Sequence, residues 1–117
     1  MAFIRTLATV ALTAAIGCAA LAPRSPALAQ APVFALIIRN HQFEPAELAI
    51  PAGQKIELHV KNMDATPEEF ESASLRREKV VPGGREVTIY IGPLAPGRYE
   101  FFGDFNPATA RGFIVAK

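Results

Sequence analysis

The chain has 117 residues and a formal net charge of +1, with both signs interspersed, which excludes the strongly basic character of a nucleic-acid binder or of a protein held on an anionic membrane surface. Its one cysteine, Cys18, falls in an N-terminal apolar run. Everything after it forms no disulfide and offers no thiolate to a metal or cluster, so the folded part must be held by packing alone.

Arg5 supplies a positive start, Leu7 to Leu21 is almost wholly apolar, and Ala27-Leu28-Ala29 has the small-x-small form of a signal-peptidase site. These features predict a signal peptide over 1–29, cleavage before Gln30 and a periplasmic protein. The apolar run is shorter than the ~20 residues of a membrane span, so the mature chain is not expected to insert into a membrane. Lipoprotein processing at Cys18 is the alternative, since Ala15-Ile16-Gly17 before it resembles a lipobox that lacks its usual leucine. Residues 30–117 carry ten Lys and Arg against eleven Asp and Glu. That length suffices for one small domain.

Along 30–117 the dominant pattern is short runs of period two. Val33 to Arg39 and Gly112 to Ala116 are continuously apolar, as expected for central strands. In Lys55 to Lys61 the residues Ile56, Leu58 and Val60 share one face while His59 joins Lys55, Glu57 and Lys61 on the polar one, and Arg85 to Ile91 repeats the alternation. Turn signals stand between the runs at Pro51-Ala52-Gly53, Pro82-Gly83-Gly84 and Gly92 to Gly97. The fold class is therefore all-β, an antiparallel sandwich of six to eight strands. One segment, 72–80, breaks the pattern and is expected to form a short helical turn or an ordered loop.

Catalytic motifs are absent. The chain holds no G-x-S-x-G, no H-E-x-x-H, no glycine-rich phosphate loop and no nucleophilic cysteine in 30–117. A paired-carboxylate glycosidase would need a sugar cleft that so small a domain can scarcely enclose. No enzyme activity is expected.

Four segments resemble the cupredoxins in order and spacing. They are Asn40-His41-Gln42-Phe43-Glu44-Pro45 running on to Gly53, Asn62 to Phe70, Pro96 to Phe101, and the run from Tyr99 through Gly103, Asn106 and Ala110 to Gly112. The resemblance implies a Greek-key sandwich and a type 1 copper site at Glu68, Gly103, Asn106 and Ala110. None of these supplies the imidazole, thiolate or thioether that blue copper requires, so type 1 copper and its electron transfer are not expected. Glu68-Glu69-Phe70-Glu71-Ser72, Arg77 to Val81 and Gly103-Asp104-Phe105 are most similar to small exported proteins related to the cupredoxin domain of EfeO-type iron-uptake proteins. Asn106 departs from that pattern, where histidine is expected. The likeness implies iron or copper handling beside a membrane permease or another periplasmic uptake partner.

The fold so implied gathers the loops at 40–45, 62–70 and 103–110 at one end, with candidate ligands His41, Glu68, Glu69, Glu78 and Asp104 and with Met63 nearby. Carboxylates with one imidazole suit Fe(III), Mn(II), Zn(II) or Cu(II) better than Cu(I). Each has a plainer reading. Glu68 and Glu69 point to opposite faces of a strand, so one of them reads as a solvated charge. His41 serves a turn equally well, Asp104 can accept its own loop's amides, Glu78 sits among Arg76, Arg77 and Lys79, and Met63 fills space. Phe101, Phe102 and Phe105 read as fillers of the vacated pocket, an exposed one as a docking contact. Two functions remain open: a metal-binding accessory protein of an uptake system, and a metal-free interaction module on the same frame.

Overall fold

The computed structural model describes residues 11, 14–22 and 30–117. Arg5 and the motif Ala27-Leu28-Ala29 lie outside the described residues. Nine strands follow in order: β1 Val33–Arg39, β2 Gln42–Glu44, β3 Glu47–Ile50, β4 Ile56–Asn62, β5 Glu68–Ser72, β6 Arg77–Val81, β7 Glu86–Ile91, β8 Gly97–Gly103 and β9 Arg111–Ala116. They form a four-stranded sheet, β2-β1-β4-β7, packed on a five-stranded one, β3-β9-β8-β5-β6.

The strand count exceeds the expected six to eight for two reasons. The Phe43-x-Pro45 segment divides between sheets, because proline has no N–H with which to continue a ladder, so β2 stays beside β1 while β3 crosses to β9. Within 72–80 Ser72 ends β5, residues 73–76 form a turn, and 77–80 belong to the edge strand β6. No helix is present among the described residues. The sheets are mixed, with β1–β4 and β3–β9 parallel and the other pairs antiparallel.

Alternation produced the core. Ile56, Leu58 and Val60 of β4 are fully buried, as are Leu36 and Ile38 of β1 and Ile114 of β9. The apolar runs of β1 and β9 nevertheless bury one face only, leaving Val33 and Phe113 exposed. Phe43, Phe70 and Phe101 fill the core, Phe70 stacking on Phe101 at 5.1 Å and Phe43 meeting both edge-on. On the outer face His59 is held between Glu57 (2.9 Å) and Glu86 (3.1 Å). Among the described residues no helix is long and apolar enough to cross a membrane.

Candidate functional site

Three turns meet at one end of the sandwich, each for a local reason. Asn40-His41 is a two-residue hairpin turn between β1 and β2 with both residues at positive φ, 52° and 56°, the geometry such hairpins require and Asn tolerates. The Asp64 carboxylate fastens it, accepting the amides of Asn40 (2.8 Å) and His41 (3.0 Å). Those bonds, that of His41 first, hold the Asp64 carboxyl below its ordinary value. Asn62, fully buried, shapes the turn from β4 to β5: it donates to the carbonyls of Thr66 and Val81 and accepts the amide of Asp64. The loop from β8 to β9 closes on the first turn through Thr109 Oγ1, which donates to the His41 carbonyl at 2.6 Å.

Glu68 begins β5 facing inward and is 1% exposed. Its Oε1 accepts the amides of Glu69 (3.0 Å) and Phe105 (2.9 Å), and its Oε2 accepts Asn106 Nδ2 at 2.7 Å. A Cβ on Gly103 would lie 2.5 Å from Glu68 Cδ and 2.7 Å from Ala110 Cβ. The four positions at which the sequence frame places copper ligands are thus one packed unit, with the carboxyl of Glu68 against Gly103 and Ala110 and tied to Asn106. This donor set does not fit type 1 copper. It offers no thiolate and no imidazole, and the side chain that could reach a metal already spends both oxygens on N–H donors.

The neighbouring residue turns the other way. Glu69 and Glu71 share the outer face of the five-stranded sheet, Glu78 stands directly opposite Glu71 on β6, and Asp104 follows β8, its amide donating to the Glu69 carbonyl at 3.0 Å. One carboxyl oxygen each from Glu69, Glu71 and Asp104 lies within 4.8 Å of the others. Glu69 is 8% exposed as a residue, with its carboxyl oxygens still reached by solvent. Among the described residues no N–H donates to its side chain; its neighbours are acids. Its carboxyl is pushed up to about 7, first by a hydrogen bond with the Glu78 carboxyl, then by burial, then by the charges of Glu78, Asp104 and Glu71. Glu71 is raised as well, by burial and then by Asp104 and Glu78.

Of the residues singled out in the sequence, Glu69, Asp104 and Glu78 therefore come together. Glu68 does not join them, and neither do His41, 3.7 Å from Asp64 at the hairpin turn, or Met63, about half exposed. Of the pair, Glu68 faces the vacated site and Glu69 points outward, the latter only 8% exposed as a residue but with its carboxyl reached by solvent. No ion pair forms at Glu78 among the described residues, and no amide donates to the Asp104 side chain there. Glu71 was missed, although its position two residues beyond Glu69 put it on the same face. Asp64 was missed because its partners lie 23 and 24 residues away.

A cupredoxin-like domain family model matches residues 8–116. The chain belongs to the cupredoxin-like domain family. It is 46% identical over 80 residues to the uncharacterized protein RP394 of Rickettsia prowazekii (strain Madrid E), a match covering 68% of this chain and 64% of that protein. The cupredoxin-like fold also resembles that of auracyanin A, a blue copper protein of Chloroflexus aurantiacus, with a TM-score of 0.65 at 15% identity over 75% of this chain and all of that one. A purple cupredoxin from Nitrosopumilus maritimus aligns with a TM-score of 0.55 at 18% identity, over 71% of this chain and 98% of its own. At such identities the likeness is one of fold. This cupredoxin-like chain keeps the frame without the type 1 copper ligand set.

Proposed function

We propose that this cupredoxin-like protein is a non-catalytic, exported accessory protein that binds a transition-metal ion through Glu69, Glu71 and Asp104, assisted by Glu78, and presents it to a membrane permease or another uptake partner. The convergence of the three outer carboxyls carries the reading. A carboxyl crowded by other acids is relieved by either a proton or a cation, and a cation turns repulsion into coordination. An all-oxygen set favours hard or borderline ions such as Fe(III), Mn(II) or Cu(II) and disfavours Cu(I). Iron or copper handling agrees with the resemblance to iron-uptake cupredoxin domains. Export is inferred from Arg5, the apolar run and Ala27-Leu28-Ala29.

Calorimetric titration of untagged protein with Cu(II), Mn(II) and chelated Fe(III), at neutral and mildly acidic pH, tests the proposal. Wild type should bind, more weakly in acid because carboxyls must shed protons to ligate. Glu69→Gln and Asp104→Asn should each lose most of the affinity with an unchanged circular dichroism spectrum. A second reading, a metal-free docking module, is favoured by the closed inner pocket and by Met63 and Phe105, 48% and 47% exposed at the same end. Absence of cation binding by wild type would make it the better account.

A further inference from the structure

Glu68 and Glu69 are consecutive, yet one lies in the former copper position and the other in the outer acidic group. We infer that the buried Glu68 side chain is a positioning residue for that outer group, clipping the loop after β8 to β5 so that Asp104 is held facing Glu69. The inference rests on the proposed cation site and deepens it.

The clip is visible bond by bond. Glu68 Oε1 gathers the amide of Glu69 and the amide of Phe105, the residue after Asp104, while Oε2 takes Asn106 Nδ2. Asp104 itself is tied by its amide to the Glu69 carbonyl. Both sides of the Asp104 peptide are therefore fastened to β5, and the Asn106 carbonyl, accepting the amides of Thr109 and Ala110 (3.2 and 2.9 Å), carries the restraint through the loop. Such a restraint is needed because Asp104, Glu69 and Glu71 repel one another before a cation arrives. A free loop would let the exposed Asp104 swing away from Glu69, whereas a clipped one holds the carboxyls within 4.8 Å and spares the cation the ordering cost. Gly103 allows the arrangement, since any side chain there would displace the Glu68 carboxyl. Glu69 takes no N–H donor among the described residues, and its carboxyl, at the outer surface of the sheet beside Glu71 and Asp104, is the group that this geometry leaves for a cation.

A positioning role and a ligand role predict different behaviour of two variants. In Glu68→Gln the amide oxygen can still accept both backbone amides, and the Asn106 side chain can turn to accept from the new amide nitrogen, so the clip survives without its charge. Glu68→Met keeps the bulk and removes every acceptor. Titration of the full-length protein with Mn(II) and chelated Fe(III) should find Glu68→Gln within about 3-fold of wild type and Glu68→Met weaker by about 10-fold, the scale of lost outer-shell support at metal sites. Faster amide hydrogen exchange at Phe105 should accompany the loss in Glu68→Met only. Should Glu68→Met fail to fold, Asn106→Ala cuts one bond at a half-buried position and should weaken binding by a smaller factor. Wild-type affinity in both Glu68→Met and Asn106→Ala would overturn the inference while leaving the cation site standing. A loss in Glu68→Gln as large as that in Glu69→Gln would make Glu68 a ligand instead. Absence of binding by wild type would remove the site and the inference with it.

Discussion

On the inner side of β5 the Glu68 carboxyl is 1% exposed and meets three N–H donors; one residue on, Glu69 is 8% exposed and meets carboxyls. The residue type, the strand and the near-complete burial are shared, so the difference in character comes from what each face of the sheet brings up. The inner face brings a loop whose amides point inward, and a carboxyl there is consumed as a structural acceptor. Beside the outer Glu69 stand Glu71 and Glu78 from the strands and Asp104 from the loop, and a carboxyl there remains available to a proton or a cation. The position that the cupredoxin frame assigns to a copper ligand serves structure here, and the carboxyls without N–H donors lie one residue away on the opposite face.

The largest expected effect comes from emptying the inner side. Glu68→Ala leaves the Phe105 amide and Asn106 Nδ2 without their acceptor and opens a void beside Gly103. A destabilisation of about 3 kcal/mol is expected from the void together with the lost acceptor for these part-buried donors, read from the urea midpoint. Filling the same space should cost somewhat less: Gly103→Ala places a methyl against Glu68 Cδ and Ala110 Cβ, an overpacking worth about 1–3 kcal/mol. The two changes should be non-additive, because the new methyl finds room once Glu68 is truncated. Strict additivity in the double variant would break the picture of one packed unit.

How much of this contrast was legible in the sequence depended on range. The alternation in β4 is local, and Ile56, Leu58 and Val60 were placed correctly because period two settles the face. The four vacated positions were legible from the spacing of the frame, but the way they close was not, since Glu68 meets residues 37 and 38 positions later. The 72–80 segment misled because β6 is an edge strand exposed at Arg77 to Val80, and an edge exposed on both faces carries no alternation to detect. The acidic surroundings of Glu69 were not legible because no local pattern connects Glu78 and Asp104 to it.

A control outside both faces of β5 is the hairpin turn. Asp64→Ala removes the acceptor for the amides of Asn40 and His41, two residues held at positive φ. The site is partly solvated, so water replaces some of what is lost, and a destabilisation of about 1–2 kcal/mol is expected. Cation affinity should be unchanged, because His41 lies with Asp64 and apart from the outer acids. A fall in affinity would bring the hairpin turn into the site.

The effect most specific to the outer face, and one that solvent around the carboxyl keeps small, is a pH dependence. The Glu69 carboxyl moves from an ordinary 4.5 to about 7 on folding, chiefly through its hydrogen bond with Glu78 and its burial. Between those values the folded chain holds a proton that the unfolded chain has released, so stability falls as pH rises through the window and levels off above about 7. Glu71, raised by burial and by Asp104 and Glu78, acts in the same direction. Asp64, lowered from 3.8, acts oppositely and only at more acid pH. Glu69→Gln cannot titrate, so urea midpoints at pH 5 and pH 8 should differ less in the variant than in wild type, and at pH 8 the variant should be the more stable of the two. A saturating cation at pH 8 should restore wild type and leave the variant nearly unmoved, since a ligand stabilises only the state that binds it. A wild-type midpoint that stays flat or climbs between pH 5 and pH 8 would mean that Glu69 is as well solvated as an ordinary surface acid, and the contrast with Glu68 would reduce to burial alone.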